Sequence, residues 1–264
     1  MSDKKIKAAF VQLDSKLGDA AANIDRLQTL LDKAVAEQAD VVVFPELWDV
    51  GFFPKNIAEL AEEEENHSAL EWMRQAAKTH RINVVGGSIA VKDGVNVFNR
   101  AYVFDREGRE LARYDKTHLF SPGRETDYFT PGQETAAFEL EGVPSGVIIC
   151  YDMRFPELMR KQVLNGAKMM FVPAQWPHPR SGHWLTLARA RAIENQVFVV
   201  AVNGCGKAGA LQSCGHSVIY TPWGEEVVAA GEEEGVYTAE LDLRLVDEAR
   251  GKIPVLEDRN LQAY

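Results

Sequence analysis

The sequence predicts an α/β protein in which two mixed sheets face each other and helices cover their outer sides, an α-β-β-α sandwich. Short apolar runs that end in polar residues alternate with segments whose apolar residues recur every three or four positions, as in strands and helices. Other apolar runs follow one another directly, joined by the turns KDG and REG, which indicates antiparallel hairpins. Parallel and antiparallel pairs in one chain predict mixed sheets.

The first half of the chain is predicted to begin with a strand at residues 8–13. The helix predicted after it carries one apolar stripe with a spacing of three and four, formed by Ile24, Leu27, Leu31 and Val35. The segment DVVVFPELW predicts a second buried strand that ends near Glu46. A second helix is predicted to start at Ser68, because Ser68 and Glu71 have the spacing of a capping box. The runs INVVGGSIAV, VFNRAYVFD and ELARYDK then predict hairpin strands.

The second half repeats this pattern. The strand SGVIIC precedes a helix with Pro156 in its first turn, and the strand KMMFVPAQW precedes a helix from about His183 to Asn195. The runs QVFVVAVN, GHSVIYTP and EEVVAA complete the predicted strands. The segments VVVFPELW and MMFVPAQW share Pro and Trp at equal offsets, which weakly indicates a two-fold layout.

Composition indicates the class of protein. A chain of 264 residues with 46% hydrophobic residues and no Pro-, Gly- or Ser-rich linker fits one domain over residues 1–264. A net charge of −10 without a dense Lys/Arg stripe argues against nucleic acid as a partner. No run approaches the ~18 apolar residues of a membrane span, and the first residues do not resemble a signal peptide. Three cysteines argue against a disulfide framework, so we expect a soluble, cytoplasmic protein with no membrane partner.

Cys150, in GVIICYDMRFPE, is the first candidate for chemistry. It follows a short β-branched run at the predicted carboxyl end of a strand, close to a helix start. Open α/β sheets place their ligand crevices there, and a helix start favours a thiolate. The alternative is an ordinary core thiol, because free cysteine is among the most buried residue types.

Glu46 and Lys116 occupy comparable positions. Glu46 ends a buried strand, where a partly desolvated carboxylate is suited to take and return protons, although it could equally cap a helix. Lys116 follows the strand ELARYD, although most lysines are surface cations. A thiol nucleophile needs a base, and its attack on a carbonyl creates an oxyanion that a fixed cation stabilises. A carboxylate, a thiol and a cation could therefore act together as base, nucleophile and oxyanion-stabilising group.

The segments FPELW, YDKTHLF and ICYDMRFPE, in this order, resemble the three signatures of the nitrilase superfamily of carbon-nitrogen hydrolases, and the resemblance continues through HWLTLARARAIENQ and GHSVIYTPWGEE. It implies the α-β-β-α sandwich and assembly into a homodimer or larger homo-oligomer. It further implies that Glu46 is the general base, Cys150 the nucleophile, and Lys116 the oxyanion-stabilising cation, aided by the backbone N–H of Tyr151. Glu125, in ETDYFTPG, matches a second glutamate of the family, which implies that it positions Lys116 and the substrate amide.

Within the superfamily, CYDMRFPEL, AQWPHPRSGHW and PVLEDRN most resemble the omega-amidases, which hydrolyse the terminal amide of 2-oxoglutaramate and related monoamides. The nitrile-hydrolysing branch fits less well, because Tyr151 stands where its tryptophan is expected. Carbamoylases, amidases of deaminated glutathione, acyltransferases and a catalytically silent binding relative remain open alternatives.

A small anionic amide substrate needs local positive charge in an acidic protein. Arg180, in WPHPRSG, and Arg154, four residues after the candidate nucleophile, could each hold a carboxylate with two parallel hydrogen bonds. Arg154 could instead pair with Asp152 or Glu157. Trp176 could form a wall of the pocket or pack in the core.

We expect neither a metal nor a cofactor. Cys205, Cys214 and His216 have a spacing that matches no usual zinc site. His118 lies in the segment YDKTHLF, and we expect it to pack or hydrogen-bond near the site. We expect the homodimer contact to involve the helices at Phe155–Leu164 and His183–Asn195.

Overall fold

Two large β-sheets form the centre of the computed structural model, which describes residues 5–52, 56–209 and 211–263. Within these ranges the strands in chain order are β1 (Lys5–Gln12), β2 (Val41–Val43), β3 (Glu62–Glu63), β4 (Asn83–Val85), β5 (Ile89–Asp93), β6 (Asn96–Phe104), β7 (Glu110–Asp115), β8 (Ala136–Leu140), β9 (Val143–Val147), β10 (Met169–Ala174), β11 (Phe198–Asn203), β12 (Lys207–Ala208), β13 (Leu211–Gln212), β14 (Val218–Tyr220), β15 (Glu226–Ala229) and β16 (Gly235–Asp242). The α-helices are α1 (Ala20–Ala36), α2 (Ile57–Leu60), α3 (Ser68–His80), α4 (Pro156–Leu164), α5 (Ser181–Asn195) and α6 (Arg244–Lys252).

Both large sheets contain parallel and antiparallel pairs, as the alternation of helices and hairpins predicts. The first sheet has the order β16-β1-β2-β4-β6-β5-β3, with β7 also paired to β6. Its pairs β1–β2 and β2–β4 are parallel, whereas β6 is antiparallel to β4, β5 and β7. The second sheet has the order β15-β14-β11-β10-β9-β8, with β10 parallel to both β9 and β11. The short strands β12 and β13 pair only with each other.

Strand β1 shows how the layers are built, because its successive side chains point to opposite faces of the sheet. Ala8 and Phe10 join the apolar core shared with the second sheet and with helices α4 and α5. Ala9 and Val11 join a separate core, under helices α1 and α3. Helices therefore cover the outer faces and the two sheets face each other, which confirms the predicted α-β-β-α sandwich.

The strand before Cys150 is shorter than predicted. Strand β9 ends at Val147, and Cys150 begins a short 3₁₀ turn, Cys150–Arg154, instead of closing the strand. The prediction that Cys150 is the last strand residue is therefore wrong, because the backbone turns away after Ile148 donates a final hydrogen bond to Phe171 O at 3.1 Å. Helix α4 then begins at Pro156, as predicted.

Helix α3 begins at Ser68 as predicted, but the prediction of a capping box between Ser68 and Glu71 is wrong. The residue before it, His67, occupies the cap position, but its side chain makes no hydrogen bond that caps the helix; its Nε2 instead lies 3.1 Å from Ala90 O. The Ser68 backbone N–H and hydroxyl both donate to the carboxylate of Glu62, at 2.5 and 2.8 Å. A carboxylate from outside the helix thus takes the place that Glu71 was expected to fill.

The run INVVGGSIAV forms two strands, because the chain bends at its two glycines. Gly87 has a φ of +65°, and a Cβ atom there would lie 1.9 Å from Pro45 O. Ser88 then holds the same turn: its backbone N–H donates to Pro45 O at 3.1 Å, and its Oγ accepts from Leu47 N at 3.0 Å. These contacts fix the backbone on either side of Glu46.

Among the helices of the described residues, none combines the length and the apolar character that crossing a membrane requires.

Candidate active site

Glu46 lies where the two sheets meet. It follows strand β2 of the first sheet, and its side chain is completely buried. Its Oε2 accepts from the backbone N–H of Gln175, which follows strand β10 of the second sheet, at 2.8 Å. The two segments of similar sequence, FPELW and VPAQW, thus contact each other at this point. Trp48 anchors the turn by donating from Nε1 to Gly86 O at 2.8 Å.

Lys116 follows strand β7 and is also buried. Its Nζ donates to Glu46 Oε1 at 2.8 Å and to Glu125 Oε2 and Oε1 at 2.8 and 3.0 Å. Burial opposes the charged form of Lys116, but the negative charges of Glu125 and Glu46 outweigh it and raise the pKa of the ammonium group. Lys116 is therefore a permanent cation at neutral pH.

Glu125 forms the other side of this ion cluster. It begins a short 3₁₀ turn, Glu125–Asp127, and its Oε2 accepts from the backbone N–H of Phe120 at 2.6 Å. Burial raises the pKa of Glu125, the positive charge of Lys116 opposes this change, and the nearby charge of Glu46 adds to it. One ammonium group thus lies between two buried carboxyl groups.

Cys150 joins these residues from the second sheet. Its φ of +45° is uncommon for a residue with a side chain, and such strain is often found at functional sites. Burial, and next the negative charge of Glu46, raise the pKa of the Cys150 thiol well above its usual range, although Lys116 opposes this shift. The resting group is therefore a neutral thiol, which must lose its proton to act as a nucleophile.

Asp152 ties the turn of Cys150 to the segment of Lys116. Its fully buried carboxylate accepts from Ile149 N at 3.0 Å and from the Tyr114 hydroxyl at 2.7 Å. It also accepts from the backbone N–H of His118 at 2.8 Å and lies 2.8 Å from His118 Nδ1. The His118 ring stacks on Phe155 with 3.7 Å between ring centroids, so His118 packs and hydrogen-bonds beside the site, as expected.

A cleft leads to Cys150 and Lys116. Half-buried aromatic and aliphatic side chains form much of its wall. The lining residues are Phe52, Lys116, Phe120, Cys150, Tyr151, Arg154, Gln175, Trp176, Pro177, Arg180 and Leu211. Every charged residue in this lining is basic, so the cleft is suited to an anionic ligand.

The two arginines of the cleft lie against aromatic rings. The guanidinium of Arg154 is 4.7 Å from the Trp176 ring centroid, and that of Arg180 is 5.6 Å from the Phe120 ring centroid. Arg154 Nη2 also lies 3.3 Å from His183 Nδ1. Within residues 5–52, 56–209 and 211–263, neither arginine forms an ion pair with a carboxylate, so the alternative pairing of Arg154 with Asp152 or Glu157 is wrong.

Trp176 both forms a wall of the cleft and packs in the core, the two roles considered for it from the sequence. It lines the cleft, and its ring lies 5.6 Å from the Trp184 ring in the core. Its Nε1 donates to Arg180 O at 2.8 Å, which fixes the backbone of the loop that carries Arg180. The indole is therefore a rigid wall of the cleft.

Sequence reasoning missed two contributors to the site. Asn99 donates from Nδ2 to Glu46 Oε1 at 2.8 Å and to Glu125 Oε1 at 3.0 Å. Gln175 contributes its backbone N–H to Glu46. An asparagine within the apolar strand run VFNRAYVF is a signal that could have identified Asn99. The backbone N–H of Gln175 could not have been identified in this way, because every residue except proline has one.

The cysteines outside the cleft have other surroundings. In the part of the chain that the structure describes, no three His, Cys, Asp or Glu side chains are grouped so that they could hold a metal ion. Cys214 Sγ instead lies 3.2 Å from Asn203 Nδ2. Burial raises the pKa of both Cys205 and Cys214 to about 12, as it raises that of Cys150, but neither of them lines the cleft that contains Lys116.

Comparison with known proteins decides the family. The family model described as carbon-nitrogen hydrolase matches residues 7–251 of the 264 in the chain. The chain belongs to the carbon-nitrogen hydrolase family. This confirms the family that the three sequence signatures predict, and with it the prediction of a carbon-nitrogen hydrolase.

Individual members of the carbon-nitrogen hydrolase family match over nearly the whole chain. The 2-oxoglutaramate amidase of Bacillus subtilis (strain 168) is 42% identical over 254 residues, which cover 96% of this chain and 97% of that protein. Omega-amidase NIT3 of Saccharomyces cerevisiae is 32% identical over 280 residues, with 99% and 95% coverage. The crystal structure of Saccharomyces cerevisiae Nit3, described as a member of branch 10 of the nitrilase superfamily, matches with a TM-score of 0.91 at 30% identity, covering 98% of this chain and 97% of that one.

Proposed function

We propose that this carbon-nitrogen hydrolase is an amidase that converts the terminal amide of a small dicarboxylate monoamide, such as 2-oxoglutaramate, to the acid and ammonia through a thioester on Cys150. The observation that carries this proposal is the buried ion cluster of Glu46, Lys116 and Glu125 at a cleft that also contains a thiol and two arginines without carboxylate partners among the described residues. The 42% identity to a 2-oxoglutaramate amidase supports the choice of substrate.

The first half of the reaction forms the thioester. Glu46 Oε1 already accepts from Lys116 and Asn99, whereas the hydrogen bond that Oε2 accepts from Gln175 N occupies one of its two lone pairs, so Oε2 retains the capacity to accept the thiol proton. As the proton leaves, Cys150 Sγ attacks the amide carbonyl carbon. The oxygen of the tetrahedral intermediate becomes an oxyanion, which Lys116 and the backbone N–H of Tyr151 stabilise.

The second half releases the two products. When the tetrahedral intermediate collapses, its carbon-nitrogen bond breaks, and the leaving nitrogen takes the proton from Glu46 and departs as ammonia. The same carboxylate then accepts a proton from water, whose oxygen attacks the thioester carbonyl. The carbon-sulfur bond breaks, the acid leaves, and the proton returns to Cys150. Glu125 holds Lys116 and orients the amide throughout.

The substrate's own carboxylate is expected to bind at Arg180. This residue follows Trp176 in the same loop, lines the cleft, and presents a half-buried guanidinium group. A planar guanidinium can bind a carboxylate with two parallel hydrogen bonds. Arg154 lines the same cleft, but its contact with His183 makes it the second choice.

We expect Arg180→Ala to weaken the binding of 2-oxoglutaramate by roughly 1.5–3 kcal/mol, the value of a hydrogen bond to a charged group. A neutral amide of similar length should be barely affected, because it has no carboxylate for the guanidinium to bind. Ammonia release from a panel of amides measures both values. The matched control is Arg189→Ala, since Arg189 lies on helix α5 and pairs with Glu226 outside the cleft.

Equal losses on the charged and the neutral substrate would show that Arg180 does not bind the carboxylate. Faster turnover of N-carbamoyl amino acids than of any monoamide would instead place the chain in a different branch of the family, the carbamoylases.

A homodimer through helices α4 and α5 is part of this proposal. Leu164 on α4 and Ile193 on α5 are 45% and 48% exposed, which supports an apolar contact at these helices. Light scattering should therefore give about twice the mass of one chain. A concentration-independent mass near 29.4 kDa would contradict the prediction.

The remaining expectations concern the chain as a whole. That residues 1–264 form one domain is supported by the shared core between the sheets, which takes side chains from both halves of the chain. Location in the cytoplasm, and the absence of a nucleic-acid or membrane partner, stay predictions from composition.

A further inference from the structure

Asn99 lies between the two buried carboxyl groups of the site. It belongs to strand β6 and is 1% exposed. Its Nδ2 donates to Glu46 Oε1 at 2.8 Å and to Glu125 Oε1 at 3.0 Å, so both amide hydrogens are directed at carboxyl oxygens. The amide orientation follows from these acceptors, because Oδ1 in the place of Nδ2 would face two carboxyl oxygens.

The pairing of strands β6 and β7 brings Asn99 beside Lys116. The register pairs Arg100 with Asp115, and Lys116 N then donates to Asn99 O at 3.0 Å. Lys116 and Asn99 therefore enter the site as cross-strand neighbours, and their side chains donate to the same two carboxyl groups. Lys116 brings a positive charge to this contact, whereas Asn99 brings hydrogen bonds alone.

The other end of the Asn99 amide is not optimised for stability. Its Oδ1 is buried and, among the residues that the structure describes, has no hydrogen-bond partner. Leaving a buried acceptor unpaired costs stability, and a native structure contains few such groups. The contribution of this amide therefore lies at its nitrogen, in the contacts to the two carboxyl groups.

We propose that Asn99 is a positioning residue that orients Glu46 for proton transfer and holds it apart from Glu125 at a fixed distance. By occupying Oε1 together with Lys116, it leaves Oε2 as the oxygen that accepts the thiol proton. A neutral donor is suited to this task, because a second cation would stabilise the carboxylate too strongly for it to accept a proton. The inference rests on the proposed function, in which Glu46 is the proton acceptor.

The test uses Asn99→Ser, whose hydroxyl is too short to reach both carboxyl groups, and Asn99→Asp, which replaces the donor with a third carboxyl group. We expect kcat to fall about 10- to 100-fold and KM to change within about twofold, because Asn99 touches no substrate. The acid limb of the pH–rate profile should move to higher pH, since a carboxylate that loses a hydrogen-bond donor is protonated more easily. Asn96→Ala is the matched control, an exposed residue of the same strand.

A second measurement does not depend on the substrate. The rate at which iodoacetamide alkylates Cys150, followed by mass spectrometry across pH, reports proton removal from the thiol directly. An upward shift of its acid limb in both variants supports the positioning role. If neither pH profile shifts, with or without a lower kcat, the positioning role is contradicted. A purely structural role would lower the maximal rate without moving the acid limb. If the unmodified protein is alkylated at Cys150 but hydrolyses no amide, the proposed function fails, while the alkylation profile still decides the role of Asn99.

Discussion

Cys150→Ala should lower amide hydrolysis by roughly 10⁴-fold or more, because Cys150 is the only thiol among the described residues that line the cleft. The fold should remain intact. The change removes one sulfur atom from a side chain at the edge of the core, so the free energy of unfolding should change by no more than about 1 kcal/mol. Ammonia release and thermal unfolding measure the two effects separately.

The matched control for this substitution is Cys214→Ala. Cys214 is equally a buried thiol, but it contacts Asn203 outside the cleft, so its loss should leave turnover unchanged. Mass spectrometry of enzyme quenched early with substrate should find the acyl group on the peptide that contains Cys150. An adduct on Cys205 or Cys214, or full activity of Cys150→Ala, would contradict the mechanism.

Lys116→Met should affect both turnover and stability. Methionine keeps the length of the side chain but removes the charge that lies between Glu46 and Glu125. Breaking a buried ion pair by removing one partner costs about 3–5 kcal/mol of folding free energy. Loss of the oxyanion-stabilising cation should also lower kcat by at least about 10²- to 10³-fold.

The stability loss in Lys116→Met should depend on pH. In the unsubstituted protein, burial already raises the pKa of Glu125 against the opposing charge of Lys116. Without that charge the folded variant binds a proton at higher pH than its unfolded chain does, so its stability is greatest at low pH and falls as the pH rises. Thermal unfolding should show a smaller deficit, relative to the unsubstituted protein, at pH 5 than at pH 8. A deficit independent of pH would contradict this explanation, and Lys33→Met, on the exposed side of helix α1, is the control.

The residues of the site differ in how far the sequence could reveal them. Their positions at the ends of apolar strands made Glu46, Lys116 and Cys150 candidates, because such ends gather at one edge of a sheet. That argument left a helix cap, a surface cation and a core thiol as alternatives, and the family resemblance decided between them. Glu125 lies in a loop without a local pattern, and only the family resemblance selected it. Asn99 was missed because its side chain acts within a strand, where polar residues ordinarily face solvent.

The fold was predictable in its elements and less so in their ends. The helices and strands that make up the layers could be predicted, because the spacing of apolar residues depends only on residues close together in the sequence. The positive φ of Cys150 and the binding of Ser68 by Glu62 depend on tertiary contacts, which a single sequence does not display. The same holds for the contact between Glu46 and Gln175 N.

That last contact links catalysis to the interior of the protein. The proton acceptor belongs to one sheet, whereas the nucleophile and one of the acceptor's own hydrogen-bond donors belong to the other. The spacing of the reacting groups is thus set by the thickness of the apolar layer between the sheets, which includes Phe10 and Phe171. The turnover rate should therefore respond to changes in the packing of that layer. Removing one methyl group from it, far from the cleft, can misalign the groups that exchange the proton, while the protein still unfolds at nearly the same temperature.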